Sequence, residues 1–449
     1  MSYLIKNATA VLLSNKSESV DIRTSNEFIS EIGINLAPKG EEVIDATECV
    51  IYPGFVNTHY HLAQSVLKGV PEGVNKGLGD WLAAVPYRFW PKIPPKLMYL
   101  SAKLGLYELQ RSGATTCADH HYLYHASTTP ELEEALWLAV EEMGMRFMLC
   151  RGSATKAGSH KGMKSLHITP ETPDMVMSRM DKSMRHHQDS SIGMKKVCMA
   201  PTSLIHSNEP EHLKEFADYA RANRLKLHSH LLEVEFDEQQ AQAQYGVSAV
   251  EYAQQCGWLG EDVWFAHLVK ADAKSRSILA ETKTGIAHCP TSNCRLGSGI
   301  ASAHEMDKLG MKVTIGVDGS ASAESGSMLQ ELNLSWLLQR ALYGADSVEP
   351  GRILDWGSKN GADLLGFKTG QIKVGYLADL VLYRVDEPRV ATVHTPHLAP
   401  LLCGEPATVE YSFIHGNPVI SKQKSTVVND QKLISDLRQE MNKFLYTIT

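Results

Sequence analysis

The chain reads as an α/β protein: a (β/α)8 TIM barrel carrying a small β-sandwich domain formed by both termini. Three observations predict this. Short apolar runs alternate with helical patterns eight times through the middle of the chain. Nearly every run ends in side chains capable of chemistry. The two ends of the chain share another texture, short alternating strands separated by polar turns.

The ends come first. "YLIKNATAVLL", "EFISEIGINL" and "EEVIDATECVIYPGF" have the look of small antiparallel strands, and the same pattern returns in "GQIKVGYLADLVLYRV" and "VEYSFIHGNPVI". This assigns residues 1–55 and 366–449 to the two parts of one β-sandwich domain, and residues 56–365 to the barrel. The eight barrel runs are "VIYPGFVNTHYH", "ATTCADHHY", "RFMLCRGS", "KKVCMAPTS", "LKLHSHLLE", "DVWFAHLV", "TGIAHCPTS" and "KVTIGVDGS". Between them lie segments such as "PEHLKEFADYARANR", where Leu213, Phe216, Ala217 and Ala220 fall at helical spacing after Pro210. A doubly wound sheet is the rival architecture, but it would gather polar residues at one switch point rather than at the end of nearly every strand.

Bulk properties narrow the partners. The 449 residues are 43% hydrophobic and 21% charged, which suits a soluble globular protein. A net charge of −7 gives no invitation to nucleic acid or a membrane surface. "MSYLIKNATAVLLSNKSESV" is too interrupted for a signal peptide, and no run is long enough to span a bilayer. The eight cysteines are scattered, as expected of reduced thiols in the cytoplasm. Cys289 and Cys294 frame "CPTSNC"; no disulfide is expected there, and Cys289 is expected to line a pocket beside His288.

The chemistry begins at "PGFVNTHYHLAQS". On a strand, His59 and His61 point to one face, so both imidazoles can converge on a point. His228 and His230 alternate in the fifth run, Glu233 follows, the sixth run ends at His267 and the eighth at Asp318. Each has an ordinary structural reading alone. Gathered at strand ends one, five, six and eight of a barrel they face one mouth, where three neutral imidazoles and a carboxylate suit Zn²⁺ with a position left for water.

In order, "PGFVNTHYH", "HSHLLE", "DVWFAHLV", "HCPTSN" and "VDGSAS" resemble the amidohydrolase superfamily, in its purine, pterin and triazine deaminase branch, over nearly the whole chain. The resemblance implies His59, His61, His230 and Asp318 as metal ligands, with His228 packed or supporting a ligand. Glu233, His267 and Asp318 would carry the acid–base work. Binuclear relatives use a lysine at the end of strand four; here Lys195 and Lys196 stand at its start, so one Zn²⁺ is expected, with Fe²⁺ as the alternative. His120, His121 and His125 make a second histidine group with no further ligands in view.

The implied reaction is hydrolytic deamination of a small heterocycle. Gln64, Tyr122, Arg151 and His288 are the expected substrate contacts, and a guanidinium at Arg151 suits an electron-rich oxygen of the ring. "WLAAVPYRFW", "ADHHYLYH" and "DVWFAHLVKAD" resemble isoxanthopterin deaminases, whereas "HCPTSNCRLGSGIA" equally resembles 8-oxoguanine deaminases. "RGSATKAGSHKGMKSLH" departs from the latter and favours the pterin. A triazine or cyclic-amide hydrolase and an inactive scaffold are the rival readings. A homodimer or higher oligomer is expected from the resemblance.

Overall fold

The computed structural model describes every residue except 14–15, 123, 158–167, 190–191 and 449, together with the side chain of Ile448. Eight parallel strands form the barrel: β1 (Phe55–Tyr60), β2 (Ala114–His121), β3 (Arg146–Ser153), β4 (Lys195–Pro201), β5 (Leu227–Leu231), β6 (Val263–His267), β7 (Gly285–His288) and β8 (Val313–Ile315). Each coincides with one of the eight apolar runs.

Between β8 and β1 the ring is stitched by site residues. The Asp318 N–H donates to the His59 carbonyl at 3.0 Å, and Thr58 Oγ1 donates to the Ile315 carbonyl at 3.0 Å. A Cβ on Gly316 would sit 2.7 Å from the His59 Cβ, so only glycine lets the two strands approach there. The barrel interior is filled by Val56, Ala118, Met148, Cys150, Cys198, Ala200, Trp264 and Ala287. A second, larger core separates strands from helices; helix Pro210–Ala222 contributes Leu213, Phe216, Ala217 and Ala220 to it, on the spacing its sequence predicts.

The terminal strands build two further sheets. In one, Ala10–Leu13, Lys16–Glu18 and Cys49–Pro53 join Leu380–Arg384, Val409–Ile414, Asn417–Ser421 and Lys424–Ser425. The strand Cys49–Pro53 pairs antiparallel with Leu380–Arg384, so chain from both ends meets in a single ladder. The other sheet holds Tyr3–Lys6, Asp21–Ser25, Phe28–Gly33 and Glu42–Asp45, and the two share a core of Ile5, Ile22, Ile29, Ile51, Leu380, Leu382 and Phe413. The end of the chain departs from the expected β-texture: Asp430–Ile448 is a helix. Its Leu433 and Phe444 are buried and Leu437 and Met441 half-buried, a helical spacing. It packs beside the barrel helix Pro95–Arg111, where Tyr107 donates to Asp430 at 3.0 Å. Among the described residues no helix is long and apolar enough to cross a membrane.

Candidate active site

Three imidazoles at the C-terminal mouth of the barrel are held in one tautomer each. His61 Nδ1–H donates to the His120 carbonyl at 2.8 Å, and His230 Nδ1–H donates to the Thr202 carbonyl at 2.7 Å. His228 Nδ1–H donates to the Trp264 carbonyl at 3.0 Å, so its Nε2 must accept, and it does so from His59 Nδ1–H at 2.8 Å. All three site histidines therefore turn an Nε2 lone pair inward. Burial drives each of them toward the neutral form, His230 down to about 3 with His61 and His267 adding to the effect.

This arrangement fits a divalent ion. His61 Nε2 and His230 Nε2 approach to 3.1 Å although neither carries a proton to share, a contact that is repulsive until a cation lies between them. Asp318 Oδ1 lies 3.3 Å from His61 Nε2 and 3.4 Å from His59 Nε2. Donors bonded at about 2.0–2.1 Å around a tetrahedral ion stand about 3.3 Å apart. His59 Nε2 is buried with no hydrogen-bond partner among the described residues, a cost that a metal removes. The neighbouring imidazoles hold the Asp318 carboxyl ionised against the upward push of burial.

Glu233 and His267 face each other beside this centre, His267 Nε2 3.5 Å from Glu233 Oε2. Burial, with the charges of Asp318 and Asp237, lifts the Glu233 carboxyl to about 7 against the pull of His267. Burial lowers His267, but the charges of Glu233 and Asp318 outweigh it and the net direction is upward. His267 Nδ1–H donates to Asn293 Oδ1 at 2.9 Å, which fixes the ring. The backbone is strained here: Leu232, His267, Leu268 and Asp318 have φ of 53°, 75°, 47° and 57°. Non-glycine residues in such conformations cost of order 1–3 kcal/mol each and gather where function requires them.

The amidohydrolase family profile matches residues 50–419. The chain belongs to the amidohydrolase family. Among curated proteins, an isoxanthopterin deaminase from an unknown prokaryotic organism is 39% identical, covering 99% of this chain and 97% of its own. An 8-oxoguanine deaminase from Pseudomonas aeruginosa is 36% identical over 80% of each chain. The crystal structure of an amidohydrolase from a Sargasso Sea environmental sample superposes with a TM-score of 0.85 at 34% identity over the full length of both. As an enzyme, this amidohydrolase is a metal-dependent hydrolytic deaminase.

A cavity opens onto the site. His61, Gln64, Tyr122, His230, Glu233, His267 and Asp318 line it, and Trp81, Leu82, Tyr87 and Leu296 give it apolar walls. Gln64 Nε2 donates to the Tyr122 hydroxyl at 3.1 Å, while Gln64 Oε1 is buried without a partner among the described residues.

Two expected substrate contacts fail to arrive. Arg151 is fully buried, its guanidinium donating to Glu171 at 2.6 and 3.0 Å and lying 3.9 Å over the Tyr124 ring. Strand alternation is the reason. Met148 and Cys150 fill the barrel, so Phe147, Leu149 and Arg151 face outward. His288 is displaced by the same rule, sharing the outward parity of Ile286 while Ala287 faces in. Neither residue is among the described residues of the cavity wall, nor is Cys289, a buried free thiol. Of "RGSATKAGSHKGMKSLH", residues 158–167 lie outside the described residues. The cavity also contains residues the motifs did not flag: Thr202, Ser203, His206 and Ser207 after β4, and Asp237 after β5. Their position just past strand ends was the available signal.

Proposed function

We propose that this amidohydrolase hydrolyses the exocyclic C–N bond of a bicyclic 2-amino-4-oxo heterocycle, isoxanthopterin in preference to 8-oxoguanine, and releases ammonia. The observation that carries the reading is the Glu233–His267 pair, 3.5 Å apart, in the cavity wall that His61, His230 and Asp318 also line. The choice of ring is supported by the full-length likeness to an isoxanthopterin deaminase, and by apolar walls suited to a flat ring.

In this reading His59, His61, His230 and Asp318 hold one zinc ion, with Fe²⁺ as the alternative. Bound there, the metal supplies Lewis acidity, bringing the ionisation of water down to about pH 7. Asp318 is ionised and takes the proton that the attacking water gives up. Glu233 enters protonated and delivers its proton to the ring nitrogen beside the amino-bearing carbon. His267 offers its Nε2–H to the oxygen being added at that carbon. The new C–O bond becomes a ring carbonyl, the C–N bond breaks, and water's second proton leaves with the nitrogen as ammonia. The buried Gln64 Oε1 accepts a lactam N–H of the ring. The eight cysteines are all free thiols, which supports a reducing compartment such as the cytoplasm.

The test is ammonia release by the zinc-loaded protein from isoxanthopterin, pterin, 8-oxoguanine, guanine, cytosine and S-adenosylhomocysteine. Isoxanthopterin should lead and 8-oxoguanine follow. If cytosine or the adenosine derivative leads, the choice of ring is wrong. The pH profile is a second check: an acid with a value of about 7 is lost as pH rises through 7, so kcat/KM should fall about tenfold per unit above it. A profile flat from pH 6 to 9 removes Glu233 from the acid role.

A further inference from the structure

With Arg151 sealed against Glu171, the distal ring of the substrate needs another partner. We infer that His206, oriented by Asp237, recognises the distal cyclic amide of the bicyclic substrate; this rests on the deaminase reading above.

His206 follows β4 in "PTSLIHS", and Asp237 lies in the first turn of helix Glu235–Tyr245. Both line the reaction cavity and both are more than nine-tenths buried. One carboxylate ties the pair to the catalytic acid. Asp237 Oδ1 accepts from His206 Nε2–H at 2.7 Å, and Asp237 Oδ2 accepts the Glu233 backbone N–H at 3.0 Å. The imidazole therefore has a set position relative to the residue that delivers the proton. Its plane is fixed as well: it stacks on Phe236 at 5.3 Å and 9°, and its own backbone N–H donates to Ser203 Oγ at 3.3 Å.

The chemistry suits a lactam. The second ring of isoxanthopterin or 8-oxoguanine carries a carbonyl beside an N–H, one acceptor and one donor. An imidazole is a polar partner for either atom of such an edge. Thr202 Oγ1, also in the cavity wall, is buried with no hydrogen-bond partner among the described residues, a second polar atom that a ring could engage. A site built to bind such a group discriminates against an analogue lacking it, because its buried polar atoms are then left unpaired.

The experiment compares kcat/KM for isoxanthopterin and for pterin, which lacks the distal oxygen, in the zinc-loaded wild type, His206→Ala and Asp237→Asn. Metal content and thermal melting are measured alongside. The ratio of the two values should fall about 10- to 100-fold in His206→Ala, mainly through KM, the range for a hydrogen bond involving a charged group. Metal stoichiometry should be kept. Asp237→Asn should lower the ratio in the same direction and reduce kcat for both rings, because it also loosens the Glu233 backbone. If His206→Ala does not fold, the ratio in Asp237→Asn decides. A ratio within threefold of wild type in the folded variants overturns the inference and leaves the deaminase reading intact. A wild-type ratio near one overturns the preference for oxo rings, and the inference with it.

Discussion

On β1 the two histidines of "HYH" both turn Nε2 toward the candidate metal cluster, whereas on β5 those of "HSH" divide: His230 joins the cluster and His228 accepts the His59 Nδ1–H at 2.8 Å. The spacing is identical, and the offset from the strand end is not. His59 stands one residue before the end of β1 and His61 one beyond it, while His230 stands one before the end of β5 and His228 three before it. Two residues along a strand are about 7 Å, one layer of a barrel interior. His228 therefore lies a layer deeper, stacked on Trp264 at 4.4 Å, where it orients the His59 ring. Depth in the barrel separates ligand from support.

The largest effect should come from the upper layer. His230→Ala removes one of the three inward lone pairs and should abolish both metal binding and turnover, measured by metal analysis and ammonia release. Glu233→Gln should instead keep the metal and lose about 10²- to 10⁴-fold in kcat, the range for a general acid. A Glu233→Gln enzyme of full activity would remove the acid from this layer and break the division of labour.

Arg151→Met tests the comparison from outside the barrel. Of its described cationic partners Glu171 would keep only Arg179, which donates to it at 2.7 Å, so the variant should lose about 3 kcal/mol of stability in denaturant titration, the low end for breaking a buried ion pair. Its isoxanthopterin-to-pterin ratio should stay at the wild-type value. Lost discrimination at unchanged stability would return Arg151 to the cavity.

These cases define what was legible before the structure. All eight strands could be found because each is an apolar run bounded by turns, and the gathering of His59, His61, His230 and Asp318 because strand ends in a barrel share one mouth. Arg151 and His288 were misplaced because adjacency to a strand end was used without parity; Met148, Cys150 and Ala287 already indicate which face is inside. His267 shows the converse. By parity it belongs with the outward Val263 and Phe265, yet it lines the cavity because its backbone turns at φ 75°. No periodicity shows such a turn, since a histidine in the left-handed region carries no sequence mark comparable to glycine. The closing helix Asp430–Ile448 was missed for another reason: Leu433, Leu437, Met441 and Phe444 do fall at helical spacing, but their partners lie on a helix more than 300 residues earlier, and the β-texture before it was carried on to the end.

The smallest and sharpest effect concerns His228. Among the described residues its imidazole hydrogen-bonds to the proposed metal site through His59, so its loss should leave the four proposed ligands in place and alter one of them. Without an acceptor beside Nδ1, the His59 ring is free to move its proton to Nε2, the atom that must be bare for a metal. Partners of this kind are worth about 10- to 100-fold in metal affinity. His228→Ala should therefore weaken zinc binding by that factor in a chelator competition, while kcat at saturating zinc changes much less. His228→Asn, whose side-chain oxygen accepts, should recover part of the affinity. Equal losses in the two variants would mean that His228 acts by filling space beside Trp264. Unchanged affinity in both would mean that depth does not separate support from ligand here, and that His59 keeps its tautomer by other means.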